Sequence, residues 1–112
     1  MSRANALRKL RAAVPLFAAL GDATRIELMV DLAAHGPGPI KRLCARSDLT
    51  RQAVRKHLTV LEDAGLVHGE RLGREHVWSI EARKVDEARE YLELISAQWD
   101  DALERLRKFV ES

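Results

Sequence analysis

The chain has 112 residues, a formal net charge of +2 and an ordinary apolar content, which together fit a single globular domain. A chain of this length can bury a modest core but not a deep catalytic cavity as well. Cys44 is the only cysteine, so an internal disulfide is excluded, and the sequence contains no visible secretory signal or membrane span. We therefore expect a single-domain cytoplasmic protein.

The charge is unevenly distributed along the chain. Residues 39–58 contain one acid, Asp48, against six basic residues, which are Lys41, Arg42, Arg46, Arg51, Arg55 and Lys56. From residue 81 onward the balance reverses, with six basic and nine acidic residues. A basic middle segment and an acidic tail predict one surface that faces a polyanion such as nucleic acid.

Apolar residues at helical spacing predict a helix near the N-terminus, and these residues are Leu7, Leu10, Val14 and Phe17. Pro15 falls inside this pattern and is expected to kink or restart the helix. A second helix follows Gly21, and either Asp22 or Thr24 can serve as its N-cap. We expect it to bury Ile26, Met29 and Leu32 before the Gly-Pro-Gly-Pro run at residues 36–39 stops it.

A short helix, a tight turn and a capped helix follow. The short helix begins near Pro39 and is expected to turn three residues inward, namely Ile40, Leu43 and Cys44. Thr50 is a good N-cap for the next helix, and Gly65 is a good C-terminal stop. Two helices joined by a short turn predict a helix-turn-helix at about residues 39–65.

The second of these helices has two distinct faces. At roughly 100° per residue, its apolar residues cluster on one side and its basic and polar residues on the other. The residues predicted to bind DNA here are Thr50, Arg51, Gln52, Arg55, Lys56 and Thr59. Arginine can pair with guanine, and glutamine with adenine, through two hydrogen bonds each. The alternative is a solvated charged face, which is common on helices.

Two β-prone runs at residues 66–71 and 76–80, with Gly73 between them, predict a β-hairpin. Its loop carries two further cations, Arg71 and Arg74. Loops of this kind reach the DNA backbone or minor groove beside a recognition helix. We therefore expect a wing at about residues 66–80 that adds these two arginines to the DNA-binding surface.

Residues 82–110 predict one long helix that ends the chain. Its apolar residues form a heptad seam, which consists of Val85, Ala88, Leu92, Ile95, Trp99, Ala102, Leu106 and Phe109. This seam is longer than one small domain needs to cover itself. We expect the first and last helices to form a homodimer interface, and the alternative is a monomer whose last helix folds back over its own core.

Several blocks of the sequence together resemble the ArsR/SmtB family of winged helix-turn-helix repressors. They are residues 16–25 (LFAALGDATR), 50–58 (TRQAVRKHL) and 60–67 (VLEDAGLV), with Gly73, Arg74, Trp78 and Ile80 in the wing. The family usually has proline where this chain has Ala23. The resemblance implies a mainly α fold with a small β-hairpin, and a dimer that binds a near-palindromic operator and blocks transcription.

The metal ligands of that family are missing here. Many relatives sense metals through a Cys-x-Cys pair, and the aligned positions in this chain are near Pro39 and Lys41. A second family site uses Asp, His and Glu on the last helix, which here contains no histidine. Because a zinc or soft-metal site needs several N or S ligands, we expect no metal and no cofactor. The segment at 95–100 is similar to a non-metal subgroup, and the sequence does not identify an effector.

Individual side chains leave alternatives open. Cys44 could act as a redox switch, but its apolar helix face favours core packing. His57 could touch phosphate, but its inward angle favours a packed, hydrogen-bonded role. Trp99 could line an effector pocket, although dimer packing is favoured, and Trp78 is expected to anchor the wing to the core.

Other function classes fit the sequence less well. An enzyme would need a phosphate-binding loop, a metal-ligand set or a nucleophile motif, and none is recognisable. A helical protein–protein interaction module without specific DNA binding would leave the basic face and the wing unexplained. An RNA-binding winged helix would share those two features. We therefore expect a DNA-binding regulator rather than an enzyme.

Overall fold

The computed structural model describes residues 2–45 and 47–111, so Arg46 of the basic segment lies outside the described residues. The described residues form six helices and three strands. In chain order these are α1 (Arg3–Ala12), α2 (Val14–Leu20), α3 (Ala23–His35), β1 (Gly38–Pro39), α4 (Ile40–Cys44), α5 (Arg51–Asp63), β2 (Val67–Leu72), β3 (Glu75–Ile80) and α6 (Ala82–Glu111).

The N-terminal helical pattern is broken at Ala13, where α1 ends and α2 begins. Pro15 lies in the first turn of α2, a position that has no intrahelical hydrogen bond to lose. Of the two candidate caps for α3, Asp22 is the one used, because its carboxylate accepts a hydrogen bond of 3.0 Å from the backbone N–H of Arg25. Thr24 lies inside the helix.

The prediction that Ile26 is buried is wrong. The core face of α3 is formed by Leu28 and Leu32, which are spaced by one helical turn, while 48% of Ile26 remains exposed. Met29 is half-buried and packs against the same core. The prediction therefore holds for Leu32 and Met29 and fails for Ile26, because helical spacing alone does not locate the edge of the buried stripe.

The β-hairpin of strands β2 and β3 is extended by a third strand that the sequence analysis missed. Strand β1 pairs antiparallel with β3, which places the strands in the order β1-β3-β2. It contains only Gly38 and Pro39, and both residue types are depleted in strands. Tertiary pairing with β3, rather than local propensity, therefore makes this segment a strand.

The core lies between α2, α3, α4, α5 and the sheet. Val54, Leu58 and Leu61 of α5 have no exposed surface, and Leu66 and Trp78 continue the core towards the sheet. Trp78 is 3% exposed, so it anchors the wing to the domain as predicted. Cys44 is half-buried against this core.

The first half of α6 packs on its own domain and the second half projects from it. Ala88 is buried, and the ring of Tyr91 meets that of Phe17 edge to face at a centroid distance of 6.3 Å. From Trp99 to the end of the helix at Glu111, every residue is exposed. The molecule is consequently elongated, with extents of 66 × 26 × 20 Å.

These elements make a mainly α fold with a small antiparallel sheet, in which a helix-turn-helix formed by α4 and α5 is followed by a hairpin. This is the winged helix-turn-helix architecture that the sequence predicted. Of the helices described, none combines the length and the apolar character that a bilayer-spanning segment requires.

Candidate nucleic-acid interface

Helix α5 is fixed to the domain along one face. Its N-terminus is closed by Thr50, whose hydroxyl oxygen accepts a hydrogen bond of 3.1 Å from the backbone N–H of Ala53. Val54, Leu58 and Leu61 occupy the side that faces the core and are fully buried. Because these three residues recur at helical spacing, they determine which side chains of α5 point into solvent.

The solvent face of α5 carries the side chains that the sequence predicts to bind DNA. All of them are exposed, namely Arg51, Gln52, Arg55, Lys56 and Thr59. The Thr59 hydroxyl donates to the backbone carbonyl of Arg55 at 3.0 Å. Within residues 2–45 and 47–111, none of the three cations on this face has an ion-pair partner within 4.0 Å. Their charge is therefore free to meet an anion from outside.

The N-terminal half of α5 is electrostatically suited to phosphate. The unpaired backbone N–H groups of the first turn carry partial positive charge, which favours anions there. Arg51 and Arg55 add full charges at the same end, and the acids Glu62 and Asp63 lie in the last turn. This polarity along one helix is what a recognition helix needs, since acids in its leading half would repel DNA.

The wing presents its two arginines at an exposed tip. Strands β2 and β3 are joined through Gly73, whose φ of +65° is a left-handed conformation that favours glycine. Arg74 lies in this turn beside Gly73, Arg71 lies near the end of β2, and both are exposed. Neither forms an ion pair with another residue of the part of the chain that the structure describes.

The wing is tied to the recognition helix by a contact that the sequence analysis missed. The backbone N–H of Gly69 in β2 donates to the Glu62 carboxylate at 2.9 Å. Gly69 also packs closely against His76 and Trp78, whose rings stack at a centroid distance of 4.6 Å, so a Cβ at this position would clash. Glu62 therefore positions the wing relative to α5.

A second contact joins α5 to α2 and α3. The Arg25 guanidinium donates to the carbonyl of Ala19, and its terminal nitrogen lies 3.2 Å from Nδ1 of His57. The Asp22 carboxylate lies 3.8 Å from the same nitrogen. His57 is thus packed and hydrogen-bonded, which agrees with the inward angle predicted for it. The residues joined are far apart in sequence, so only the fold reveals the contact.

The contacts with Arg25 shift the pKa of the Asp22 carboxyl. The hydrogen bond from the Arg25 backbone N–H lowers the pKa of Asp22, and the nearby positive charge of Arg25 acts in the same direction. A lowered pKa in the folded state means that the ionised cap contributes stability at pH values above the ordinary Asp range. That contribution is lost as the pH falls through the lowered pKa.

The basic surface is smaller than the charge count of residues 39–58 suggests. Arg42 turns away from α5 and donates to the carbonyls of Gly36 at 2.6 Å and Pro37 at 3.0 Å. It also pairs with the Asp31 carboxylate at 3.3 Å. Arg42 thus holds the loop between α3 and α4, and although it counts towards the charge of residues 39–58, it does not belong to the predicted DNA-binding face.

The described residues were also compared with the metal sites that the resemblance to the ArsR/SmtB family suggests. Over residues 2–45 and 47–111, no group of three or more His, Cys, Asp or Glu side chains is placed to hold a metal ion. The expectation of metal independence remains a prediction.

A recognition helix with an open basic face, followed by a wing with a basic tip, defines the class of winged helix-turn-helix DNA-binding proteins. A family model described as a helix-turn-helix domain matches residues 20–70. The chain is 44% identical over 68 residues to YuzN of Bacillus subtilis (strain 168), described as an uncharacterized HTH-type transcriptional regulator, and the match covers 55% of this chain and 74% of YuzN.

Solved structures agree with this assignment. An ArsR-like transcriptional regulator from Rhodococcus sp. RHA1 is 31% identical, with a TM-score of 0.73 and coverage of 92% of this chain and 93% of that one. The transcriptional repressor BigR from Xylella fastidiosa shares the fold at 20% identity, with a TM-score of 0.65 and coverage of 77% and 88%. The chain belongs to the ArsR family of DNA-binding transcriptional regulators.

Proposed function

We propose that the protein is a homodimeric repressor that binds a near-palindromic operator. The observation that carries the proposal is the apolar stripe left uncovered on α6 and α1. Leu92, Trp99 and Leu106 of α6 are 56%, 69% and 58% exposed in the single chain. Contiguous apolar surface of this kind is rare on monomeric proteins and is typical of an interface.

The same stripe continues onto α1, which contacts α6. Leu7 and Val14 are 49% and 58% exposed, and Leu10 is half-buried. On α6 the half-buried Ile95 and the exposed Ala102 lie between the larger side chains. A second copy of the chain would cover both helices at once through a two-fold axis. Trp99 would then be packed between the protomers instead of lying in water.

A two-fold axis through α1 and α6 gives the dimer two copies of α5. Dimeric helix-turn-helix proteins place their recognition helices about 34 Å apart, which is one turn of DNA. We assign base reading to Gln52 and Arg55, with Arg51 and Thr59 as further candidates beside the capping residue Thr50. We assign phosphate contacts to Lys56 and to the wing residues Arg71 and Arg74.

Within this proposal the chain is one domain with three parts, namely a helix-turn-helix at about residues 39–65, a wing at about 66–80 and a dimerisation helix at about 82–110. Repression follows if the bound dimer blocks the polymerase, and BigR, which shares the fold, is itself described as a repressor. Because the target is DNA, we place the protein in the cytoplasm. We assign it a regulatory and not a catalytic role.

The test of this function is selection from a random pool of duplex DNA, followed by sequencing. We expect enrichment of an inverted repeat whose half-sites are about 10 base pairs apart from centre to centre, with two chains per duplex. Binding should fall steeply with salt and should favour duplex over single strands. A pool without an enriched motif, one chain per duplex, or equal binding of single-stranded RNA would each contradict the proposal.

The wing assignment makes a separate prediction. Arg74→Ala should weaken binding to all duplex sequences about equally and reduce the slope of log affinity against log salt by about one unit. The reason is that one phosphate contact fewer releases about one counterion fewer. Arg89→Ala on α6 is the matched control, because Arg89 is exposed, pairs with Glu93 on the same helix and does not belong to the predicted DNA-binding surface. A salt slope unchanged by Arg74→Ala would show that the wing tip stays off the DNA.

A further inference from the structure

A cavity of about 480 Å³ lies where α3 meets α4 and the start of α5. Its lining includes Ile26 and Val30 on α3, Leu43 on α4, Ser47 in the turn and Val54 on α5. None of its lining residues belongs to the predicted DNA-binding face, to the wing or to the apolar stripe of α6. The cavity is therefore a separate feature of the domain.

The walls of this cavity are apolar and incompletely covered. Ile26 is 48% exposed and Val30 is 60% exposed, although the other large apolar residues of α3 turn towards the core. Ligand sites for small molecules commonly have volumes of about 300–1,000 Å³ and mostly apolar walls with a few polar groups. A volume of about 480 Å³ falls in this range and suits a small molecule.

The polar groups of the cavity select the charge of its occupant. Glu27 and Asp31 line it one helical turn apart. Asp31 is already paired with Arg42 at 3.3 Å and lies 3.7 Å from His35, which also lines the cavity, whereas the Glu27 carboxylate has no ion-pair or hydrogen-bond partner among the described residues. An apolar cavity with one uncompensated carboxylate at its edge favours a cation and disfavours an anion.

We propose that this cavity binds a small apolar molecule that carries a protonated amine, and that its occupancy is communicated to α5. Val54 has no exposed surface and lies in α5 between Arg51 and Arg55. Ser47 belongs to the turn that joins the two helices of the helix-turn-helix. Val54 therefore lies behind the accessible wall of the cavity, and a molecule seated beside Ser47 reaches the half of α5 that is predicted to meet DNA through the side chains packed on Val54. This coupling rests on the proposed DNA-binding face, whereas binding of the amine does not.

The binding test uses three probes with one scaffold and different charges, which are phenylbutylamine, phenylbutanol and phenylbutyrate. Amide NMR titration of the full chain should show saturable shifts at α3 and α5, strongest for the amine and weakest for the carboxylate. Ala34→Phe should abolish them, because Ala34 lines the cavity. Ala33→Phe is the matched control, since Ala33 is exposed on the same helix but does not line the cavity. Glu27→Gln should remove the preference for amine over alcohol.

The coupling test measures affinity for the selected duplex with and without saturating phenylbutylamine. We expect a change of about fivefold or more in the wild type and in Ala33→Phe, and no change in Ala34→Phe. Absence of amine binding, tighter binding of phenylbutyrate, or an unchanged duplex affinity would overturn the inference. A change of oligomeric state caused by Ala34→Phe would also overturn it, because the cavity would then be a contact between chains. A protein that binds amine but no duplex would instead contradict the proposed function.

Discussion

Replacing Arg55 with alanine should weaken operator binding by about 1–3 kcal/mol and relax the base preference at one position of each half-site. Arg55 lies on the solvent side of α5, one residue after the fully buried Val54. Its guanidinium has no ion pair with any described residue, so binding DNA breaks no existing salt bridge. The loss should appear in duplex affinity measured at one fixed salt concentration.

Arg55→Lys separates base reading from charge. Lysine keeps the positive charge but cannot form the two parallel hydrogen bonds that arginine makes with one base. We therefore expect the lysine variant to keep most of its affinity for non-specific duplex and to lose discrimination at the same position. Because Arg55 is exposed, both variants should fold like the wild type. Equal operator affinity of Arg55→Ala and wild type would remove Arg55 from the interface.

The parts of the fold that local sequence could predict are those governed by periodicity and turn chemistry. The buried face of α5 follows from the spacing of Val54, Leu58 and Leu61, and the exposed basic face is its geometric complement. The wing follows from two β-prone runs around Gly73. For α5, helical spacing is enough to predict the buried face, because the helix has one apolar face. For the wing, the position of Gly73 is enough to predict the turn, because the two strands are joined by a single turn.

The features that the sequence could not predict depend on contacts between distant residues. Whether Arg42 faces DNA or clamps the loop before β1 depends on where the carbonyl of Gly36 and the carboxylate of Asp31 lie. Charge counting treats every basic residue as available and therefore overestimated the basic surface. The same limitation hid the contact between Glu62 and Gly69, which joins residues on two different elements.

The misassigned residue Ile26 has a consequence for function. Helical spacing placed it in the core, yet 48% of it is exposed and it borders the cavity between α3, α4 and α5. An apolar side chain on the solvent side of an amphipathic helix is exposed to water, which is unfavourable. A ligand or partner that covers the side chain removes this unfavourable contact with water. Positions where a local rule fails are for this reason good places to look for binding sites.

Ile95→Asp combined with Leu106→Asp should split the dimer. Both residues lie on the apolar stripe of α6, where Ile95 is half-buried and Leu106 is 58% exposed in the single chain. A symmetric interface would meet four new carboxylates with no compensating charge, and each buried charge without a partner costs several kcal/mol. We expect operator affinity to fall by far more than the about 1–3 kcal/mol of a single DNA contact, because one half-site no longer helps the other to bind.

Sedimentation at micromolar concentration, with circular dichroism as the check on folding, decides this prediction. The matched control is Ala97→Asp combined with Lys108→Gln, which lowers the net charge by the same amount. Both control residues are exposed and lie roughly opposite the stripe at 100° per residue. The control should remain a dimer and bind the operator, while the stripe variant should sediment as a folded monomer. If the unmodified chain already sediments as a folded monomer and binds an inverted repeat with full affinity, the homodimer proposal is wrong, because the exposed stripe would then serve no contact between chains.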